Sequence, residues 1–283
     1  MRRPLAPGWA EEQTPTPFLY ICGNPKLWIN CRLWGCLGGI RGLRIMFVKQ
    51  DGFSSIGGIH EVTCVSKFLR IIQDSRKNNT VLFRGHSSVR YELIPSVGRK
   101  VEETDRPVYS KWDEEQMFLD FKRNYSLYTE DKPTSDIDIL FLAQHYGVPT
   151  RLLDWTYNPL IALYFACQGK EEEGHVFTLV IHEVKSRIKE GHYFDSNFFD
   201  VGKYEHEQEL IIPNYTNRRF LNQKGLFLLF KDPFQKMELQ PTFIVKNKNK
   251  ILKELSNMGI TESMVFPTLD SLGKEISNKY KKI

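Results

Sequence analysis

One stretch of the chain, residues 152–166, constrains the fold most strongly, because it joins an apolar strand to an apolar helix through a polar turn. It reads LLDWTYNPLIALYFA. Asn158 is a favoured N-cap, and Pro159 suits the first helical position because its missing N–H would find no partner there. The helix is apolar on nearly all sides, so we expect it at the centre of the molecule, where Ala162 and Ala166 let another element approach closely. The turn before the helix favours anion binding.

The rest of the pattern places helices mainly in the first part of the chain and strands mainly in the second. Helical spacing of apolar residues predicts helices over residues 62–72 and 251–258. Ser110 and Ser135, each followed by Asp three residues later, mark two further helix starts. Apolar and β-branched runs predict strands over residues 80–85, 174–181, 209–212, 225–230 and 241–246. We therefore expect a single α+β domain whose helices pack on a mainly antiparallel sheet.

The net charge of +5 is concentrated at one end of the chain. Residues 1–45 carry six basic and two acidic side chains, whereas residues 46–283 carry 33 basic and 32 acidic ones. Because this larger part is nearly neutral, a general affinity for nucleic acid loses its main support. Residues 1–45 show neither helical nor strand periodicity.

Three interpretations of residues 1–45 stay open: a tethered basic arm, a fold-specific extension, or sequence translated upstream of a native start at Met46. The globular pattern that follows Met46 favours the third. We therefore divide the chain into an irregular basic extension at residues 1–45, non-native or disordered, and a domain at residues 46–283.

Several classes of protein lack support in the sequence. No apolar run is long enough to span a bilayer, so we expect no membrane association. The five Cys residues are odd in number and lack metal-ligand spacing, which argues against a zinc site and a disulfide framework and favours the cytoplasm. The motifs of phosphate-loop NTPases, dinucleotide-binding folds, zinc proteases and α/β-hydrolases are missing.

Four blocks of the sequence resemble the FRG domain, a family of bacterial and phage proteins. The resemblance runs from about residue 59 to the C-terminus and implies a role in a toxin or phage-defence setting. The blocks are FRGH with LIPS at residues 83–96, AQHYGVPTRLLDWT with NP and ALYFA at residues 143–166, RRF with QKGLF at residues 218–227, and GI with FP and LD at residues 259–270.

A weaker resemblance, to ADP-ribosyltransferases of the Arg-Ser-Glu type, concerns the mechanism and implies a similar sheet core. That type has an early Arg-Gly strand, then a Ser-Thr-Ser strand leading into a helix, and a late catalytic Glu. Arg84, residues 154–156 and Gln223 stand in the same order here. Two departures are clear, since Asp-Trp-Thr replaces Ser-Thr-Ser, and Gln223 cannot supply the negative charge of the Glu. Glu207, Glu209 and Asp154 stay open as substitutes.

The resemblances imply a site for a nucleotide-type small molecule, with NAD as the cofactor and ADP-ribosyl transfer or NAD cleavage as the reaction. The guanidinium of Arg84 suits a pyrophosphate, Trp155 or Tyr157 suits stacking, and His86, expected in an exposed loop, suits acid–base work. The candidate catalytic residues are Arg84, His86, Asp154 and Gln223. The candidate cofactor-binding residues are Arg84, Gly85, Gln144, Arg151, Trp155, Thr156 and Arg219.

Simpler structural interpretations stand beside these roles. Asp154 would cap the next helix or hold Arg151, whereas Trp155 and His145 would lie in the core.

Two other functions also stay open: a non-catalytic binding or sensor module, favoured by Gln223, and a metal-independent ribonuclease that uses His86, His145 and Arg151. A protein or nucleic-acid target is not identified by the sequence.

Overall fold

The structure, a computed structural model, describes residues 53–75, 80–101, 104–130, 132–181, 188–190, 198–213 and 218–281. The extension predicted at residues 1–45 lies outside these ranges. The strands are β1 (Phe53–Ser54), β2 (His60–Val62), β3 (Thr80–His86), β4 (Leu152–Thr156), β5 (Gly174–Ile181), β6 (Ile188–Glu190), β7 (Gln208–Ile212), β8 (Gly225–Phe230) and β9 (Phe243–Val245). The helices are α1 (Val65–Ser75), α2 (Lys111–Asn124), α3 (Asp136–His145), α4 (Pro159–Ala166), α5 (Arg218–Gln223), α6 (Lys248–Asn257), α7 (Glu262–Val265) and α8 (Leu269–Tyr280).

The strands form one sheet in the order β2-β9-β5-β3-β4-β8-β7-β6, and β1 pairs with β5 beside this path. The pairs β2–β9 and β6–β7 are parallel, and the other pairs are antiparallel. Helices precede and follow the strands without regular alternation. The predicted α+β domain with a mainly antiparallel sheet is therefore confirmed.

A seam runs through the sheet between β3 and β4. Along β3 and β5 the register extends from Thr80 opposite Ile181 to His86 opposite His175, whereas β3 and β4 are in register only at Phe83 and Thr156. Phe83 and Thr156 are thus the only residues of β3 and β4, as described by the structure, that are paired in register.

Two core clusters lie side by side on one face of the sheet, one on each side of the seam. Phe83 packs with α1, α4 and α6, whereas Leu152 packs with α2 and α3. Since Phe83 pairs with Thr156, and alternate strand residues share a face, Phe83, Leu152 and Thr156 lie on the same side of the sheet. A third cluster, which contains Leu82 and Trp155, covers the opposite face.

Helix α4 is held against β3 and β5 at backbone distance. A Cβ on Gly85 would lie 1.9 Å from the carbonyl oxygen of Ala162, and a Cβ on Gly174 would lie 2.1 Å from that of Ala166. Only glycine fits at these two contacts. The close approach predicted from the two alanines is confirmed, as is the cap of α4, where the Asn158 side chain accepts from the Leu160 N–H.

The longest helix in the described ranges is α2, with 14 residues. Within those ranges, no helix combines the length and the apolar character that crossing a membrane would require.

Candidate functional site

A cavity of about 250 Å³ lies over the seam, between α3 on one side and α4 on the other. Residues from distant parts of the chain meet in it, because β3, β4 and α5 all end at this place. Its polar and charged lining consists of Arg84, Gln144, His145, Asp154, Thr156, Arg219 and Gln223, and its remaining lining consists of Phe83, Gly85, Phe141, Trp155, Ile161, Ala162, Phe165, Gly225, Leu226 and Phe227.

Arg84 fills the seam between the two strands. Its Nη1 donates to the backbone carbonyl of Asp154 at 2.5 Å and lies 3.6 Å from Oδ2 of the same residue. Its Nε donates to Nε2 of His86 at 2.9 Å. The guanidinium thus replaces a strand-to-strand contact.

The charge of Arg84 is only partly compensated. The side chain is 14% exposed, whereas that of Asp154 is 62% exposed. Burial lowers the pKa of Arg84 below its ordinary value, and the Asp154 carboxylate offsets part of this effect. Within the described ranges Nη2 has no hydrogen-bond partner, so Arg84 keeps donors for an anionic ligand.

The sequence predicts an exposed loop position for His86, and this prediction is wrong. His86 is the last residue of β3 and is only 5% exposed. Its Nδ1 donates to the carbonyl of Tyr91 at 3.1 Å, which leaves Nε2 as the acceptor for Arg84. Burial and the charge of Arg84 lower the pKa of His86 to about 3. A neutral imidazole with both nitrogens engaged orients Arg84 from outside the cavity. The predicted acid–base role stays a prediction, and this arrangement does not favour it.

Asp154 and Gln144 form the rim of the cavity. Gln144 donates from Nε2 to Oδ1 of Asp154 at 2.8 Å, and its Oε1 accepts from the Thr150 hydroxyl. Since Asn158 caps α4 and Arg151 pairs elsewhere, both structural interpretations of Asp154 are wrong. Asp154 instead presents an exposed carboxylate beside Arg84.

Helix α5 brings a second guanidinium to the cavity. Arg219 lies over the ring of Phe266, with 4.9 Å between the guanidinium carbon and the ring centroid, and its Nη1 donates to the His145 carbonyl at 3.5 Å. Burial lowers the pKa of Arg219, and the charge of Asp154 opposes this. Two cationic groups that are far apart in the sequence therefore line one cavity.

Gln223 and Thr156 join α5 to β4. The Thr156 hydroxyl donates to the backbone carbonyl of Gln223 at 2.5 Å. The side-chain amide of Gln223, which lines the cavity, donates from Nε2 to the Val265 carbonyl at 3.1 Å. Trp155 contributes to the lining, but it is 2% exposed and packs in the cluster on the opposite face. Its position is that of a core residue.

Arg151 lies outside the cavity in a buried ion pair. Its Nε and Nη2 each donate to a carboxylate oxygen of Glu114 at 2.7 Å, and Nη1 donates to the Phe198 carbonyl at 3.1 Å. Burial alone would lower the pKa of Arg151, but the hydrogen bonds and charge of Glu114 raise it above its ordinary value. No ligand is needed to compensate this charge.

Eight predicted site residues thus meet at the cavity, and two do not. The two outside are His86 and Arg151. Sequence reasoning gave no role to Glu114 or Phe266, since each acts through an arginine far away in the chain. Phe266 belongs to the FP block of the resemblance, but that block does not reveal its contact with Arg219. The eight that line the cavity are Arg84, Gly85, Gln144, Asp154, Trp155, Thr156, Arg219 and Gln223. Across the described part of the chain, His, Cys, Asp and Glu side chains form no group of three that would hold a metal ion.

Comparison with protein families supports the first resemblance. Residues 79–175 match the FRG domain, so this domain is present in the chain. The matched residues extend from β3 to the start of β5 and include Arg84 and Asp154, whereas Arg219 and Gln223 lie beyond them. Searches of curated proteins and of solved structures gave no match.

Proposed function

We propose that this FRG-domain protein recognises a phosphorylated nucleotide in the cavity over the seam, as an effector in a toxin or phage-defence setting. The observation that carries the proposal is the presence of two guanidinium groups, Arg84 and Arg219, in one partly aromatic cavity. Planar guanidinium groups bind phosphate oxygens through paired charge-assisted hydrogen bonds. Phe141 and Phe227, which stack with 4.7 Å between centroids, supply an apolar wall for a ring.

The size of the cavity limits how much of a ligand it holds. Small-molecule sites measure roughly 300–1,000 Å³, and this cavity of about 250 Å³ lies just below that range. It therefore suits one nucleoside-phosphate half of a dinucleotide. The other half would extend over the exposed rim at Asp154.

NAD is the dinucleotide that the sequence resemblance favours. Its cleavage breaks the bond between the ribose C1′ and the nicotinamide nitrogen, water or an acceptor group bonds to C1′, and one proton is released. In this proposal Arg84 and Arg219 hold the pyrophosphate, and the Gln223 oxygen accepts from a ribose hydroxyl. Asp154 is the carboxylate that lines the cavity, so it would stabilise the positive charge that develops at C1′.

A non-catalytic binding module is the second candidate, and Gln223 is the observation that favours it. A Gln stands where the resemblance places a catalytic Glu, and its amide is already engaged with Val265. The ribonuclease hypothesis gains no such support, since only His145 of its three residues lines the cavity.

The test measures phosphate-dependent binding to the full chain by isothermal titration calorimetry. We expect ADP-ribose to bind and adenosine to bind far more weakly. The double variant Arg84→Met, Arg219→Met should lose binding of ADP-ribose. Arg90→Met with Arg106→Met, two exposed positions, makes the same charge change away from the cavity and should bind like wild type.

Failure of the wild-type protein to bind ADP-ribose or NAD would overturn the proposal. Release of nicotinamide from NAD, followed by chromatography, separates the two candidates. Turnover that Asp154→Asn abolishes supports the enzyme, and binding without turnover supports the module.

A further inference from the structure

Helix α5 is held in place by the segment that contains α7. Three consecutive residues of that segment make the contacts. The Met264 carbonyl accepts from Nδ2 of Asn222 at 2.8 Å, and the Val265 carbonyl accepts from Nε2 of Gln223 at 3.1 Å. The Phe266 ring then lies against Arg219. A helix of only six residues has little stability of its own, so these contacts, together with the bond from Thr156 to the Gln223 carbonyl, help to fix where Arg219 lies.

The segment itself is anchored to the core. Val265 is completely buried in the cluster that contains α4. The Thr261 side chain caps α7 by accepting from the Met264 N–H. The carboxylate of Glu275 accepts from the Ser263 N–H at 3.2 Å, which ties α7 to α8. The segment therefore offers α5 a fixed support.

Phe266 links the two sides of the cavity. Its ring meets the ring of Phe165 on α4 edge to face, with 5.8 Å between centroids and an angle of 83°. Its face covers one side of the Arg219 guanidinium at 4.9 Å. Because the contact with Phe266 uses no hydrogen-bond acceptor, Arg219 keeps N–H donors besides the one that binds the His145 carbonyl.

We propose that Phe266 is a positioning residue that holds Arg219 at the cavity so that its edge meets a phosphate of the ligand. The part of this inference that concerns the ligand rests on the proposed function. Phe266 lies beyond residues 79–175, so the C-terminal part of the chain completes a site that the FRG match contains only in part.

The first test needs no ligand. Arginine Nε–Hε signals of the full chain are recorded by NMR, with the Arg219 signal assigned from Arg219→Met. We expect the ring of Phe266 to shift this signal, and the shift should disappear in Phe266→Leu and persist in Phe266→Tyr. An Arg219 signal that does not move in Phe266→Leu would overturn the positioning role.

Phe199 provides a matched control. Its ring lies 4.9 Å from the guanidinium carbon of Arg151, outside the cavity. Phe199→Leu removes the same type of contact and should move the Arg151 signal while leaving that of Arg219 unchanged.

The second test measures ADP-ribose affinity by calorimetry. Phe266→Leu should weaken binding by about tenfold, as expected for a desolvated cation–π contact, whereas Phe266→Tyr and Phe199→Leu should leave it unchanged. In the Arg219→Met background, Phe266→Leu should have no further effect. An equal loss in that background would show that Phe266 acts through the fold in general and would overturn the inference. If the wild-type chain does not bind ADP-ribose, the proposed function fails, and the NMR result alone decides the role of Phe266.

Discussion

Arg84 and Arg151 lie at neighbouring strands of the same sheet, yet they are compensated in opposite ways. Arg151 has a buried carboxylate partner, with side-chain exposures of 5% for Arg151 and 1% for Glu114. Arg84 has a carbonyl and a neutral imidazole as its hydrogen-bond partners, and the nearest oxygen of the Asp154 carboxylate lies 3.6 Å away. Burial lowers the pKa of Arg84, whereas Glu114 raises that of Arg151.

The difference separates a structural charge from one that is available to a ligand. A buried ion pair with matched geometry is complete, and removal of one member leaves the other uncompensated. A largely buried guanidinium with spare donors gains most when an anion binds. Arg151 thus stabilises the fold, whereas Arg84 on the neighbouring strand binds the ligand in our proposal.

The largest expected effect is on the buried pair. Glu114→Gln should lower the free energy of unfolding by about 3–5 kcal/mol, because it leaves the charge of Arg151 buried without a counter-charge. Urea denaturation followed by circular dichroism measures this change.

The matched control for that variant removes both charges. Glu114→Met combined with Arg151→Met should cost much less than Glu114→Gln alone, since paired apolar replacements of buried ion pairs are often nearly neutral. A cost below about 1 kcal/mol for Glu114→Gln would contradict the assignment of Arg151 to the fold, because such a value is typical of exposed pairs.

The second effect concerns Arg84. Arg84→Met should weaken ADP-ribose binding by about 10- to 100-fold, the range expected for losing hydrogen bonds to a charged group. It should change the free energy of unfolding far less than Glu114→Gln does. If the two variants destabilise the protein equally, Arg84 is structural, and the contrast with Arg151 disappears.

The third effect is the contribution of His86 to the pH dependence of the free energy of unfolding. The pKa of His86 is about 3 in the folded chain and about 6.5 in an unfolded one. Between these values only the unfolded chain binds the proton, so stability falls as the pH drops from 6.5, by up to about 1.4 kcal/mol per pH unit. His86→Gln, whose amide oxygen can still accept from Arg84, should show a shallower fall between pH 6.5 and 4.5 in urea titrations. Identical slopes would mean that His86 is not held neutral.

The smallest effect is expected from Asp154→Asn. Its side chain is 62% exposed, so stability should change by less than about 0.5 kcal/mol. ADP-ribose affinity should rise by about two- to fivefold, because a weak repulsion between carboxylate and phosphate is removed. Weaker binding in calorimetry would show that Asp154 contacts the ligand favourably.

Local signals in the sequence predicted much of the fold. The caps at Ser110 and Asn158 are present in the structure, and β5 and β8 have the predicted bounds. These signals act within a few residues, so no tertiary information is needed to detect them. Helix α8 is not among the helices that the apolar spacing predicts. Two of its apolar residues, Leu269 and Ile276, are exposed. The helix therefore lacks the buried apolar face on which helix prediction normally depends.

The candidate site, like the fold, could be predicted from the sequence only in part. The order of Arg84, Asp154 and Gln223 came from a resemblance, and the structure brings all three to one cavity. The partners of the two arginines depend on contacts between distant residues. His86 is buried because β3 pairs with β5 up to its last residue, and Glu114 on helix α2 reaches Arg151, 37 positions away just before β4. Neither contact leaves a mark in the local sequence.

One calorimetric comparison at fixed salt concentration tests most directly the claim that Arg84 binds an anionic ligand. ADP-ribose is titrated into the wild-type chain, into Arg84→Met and into Arg90→Met, whose side chain is 80% exposed. We predict one bound ligand per chain for wild type and Arg90→Met, and loss of at least about tenfold in affinity for Arg84→Met. Equal affinity of Arg84→Met and wild type would contradict the claim.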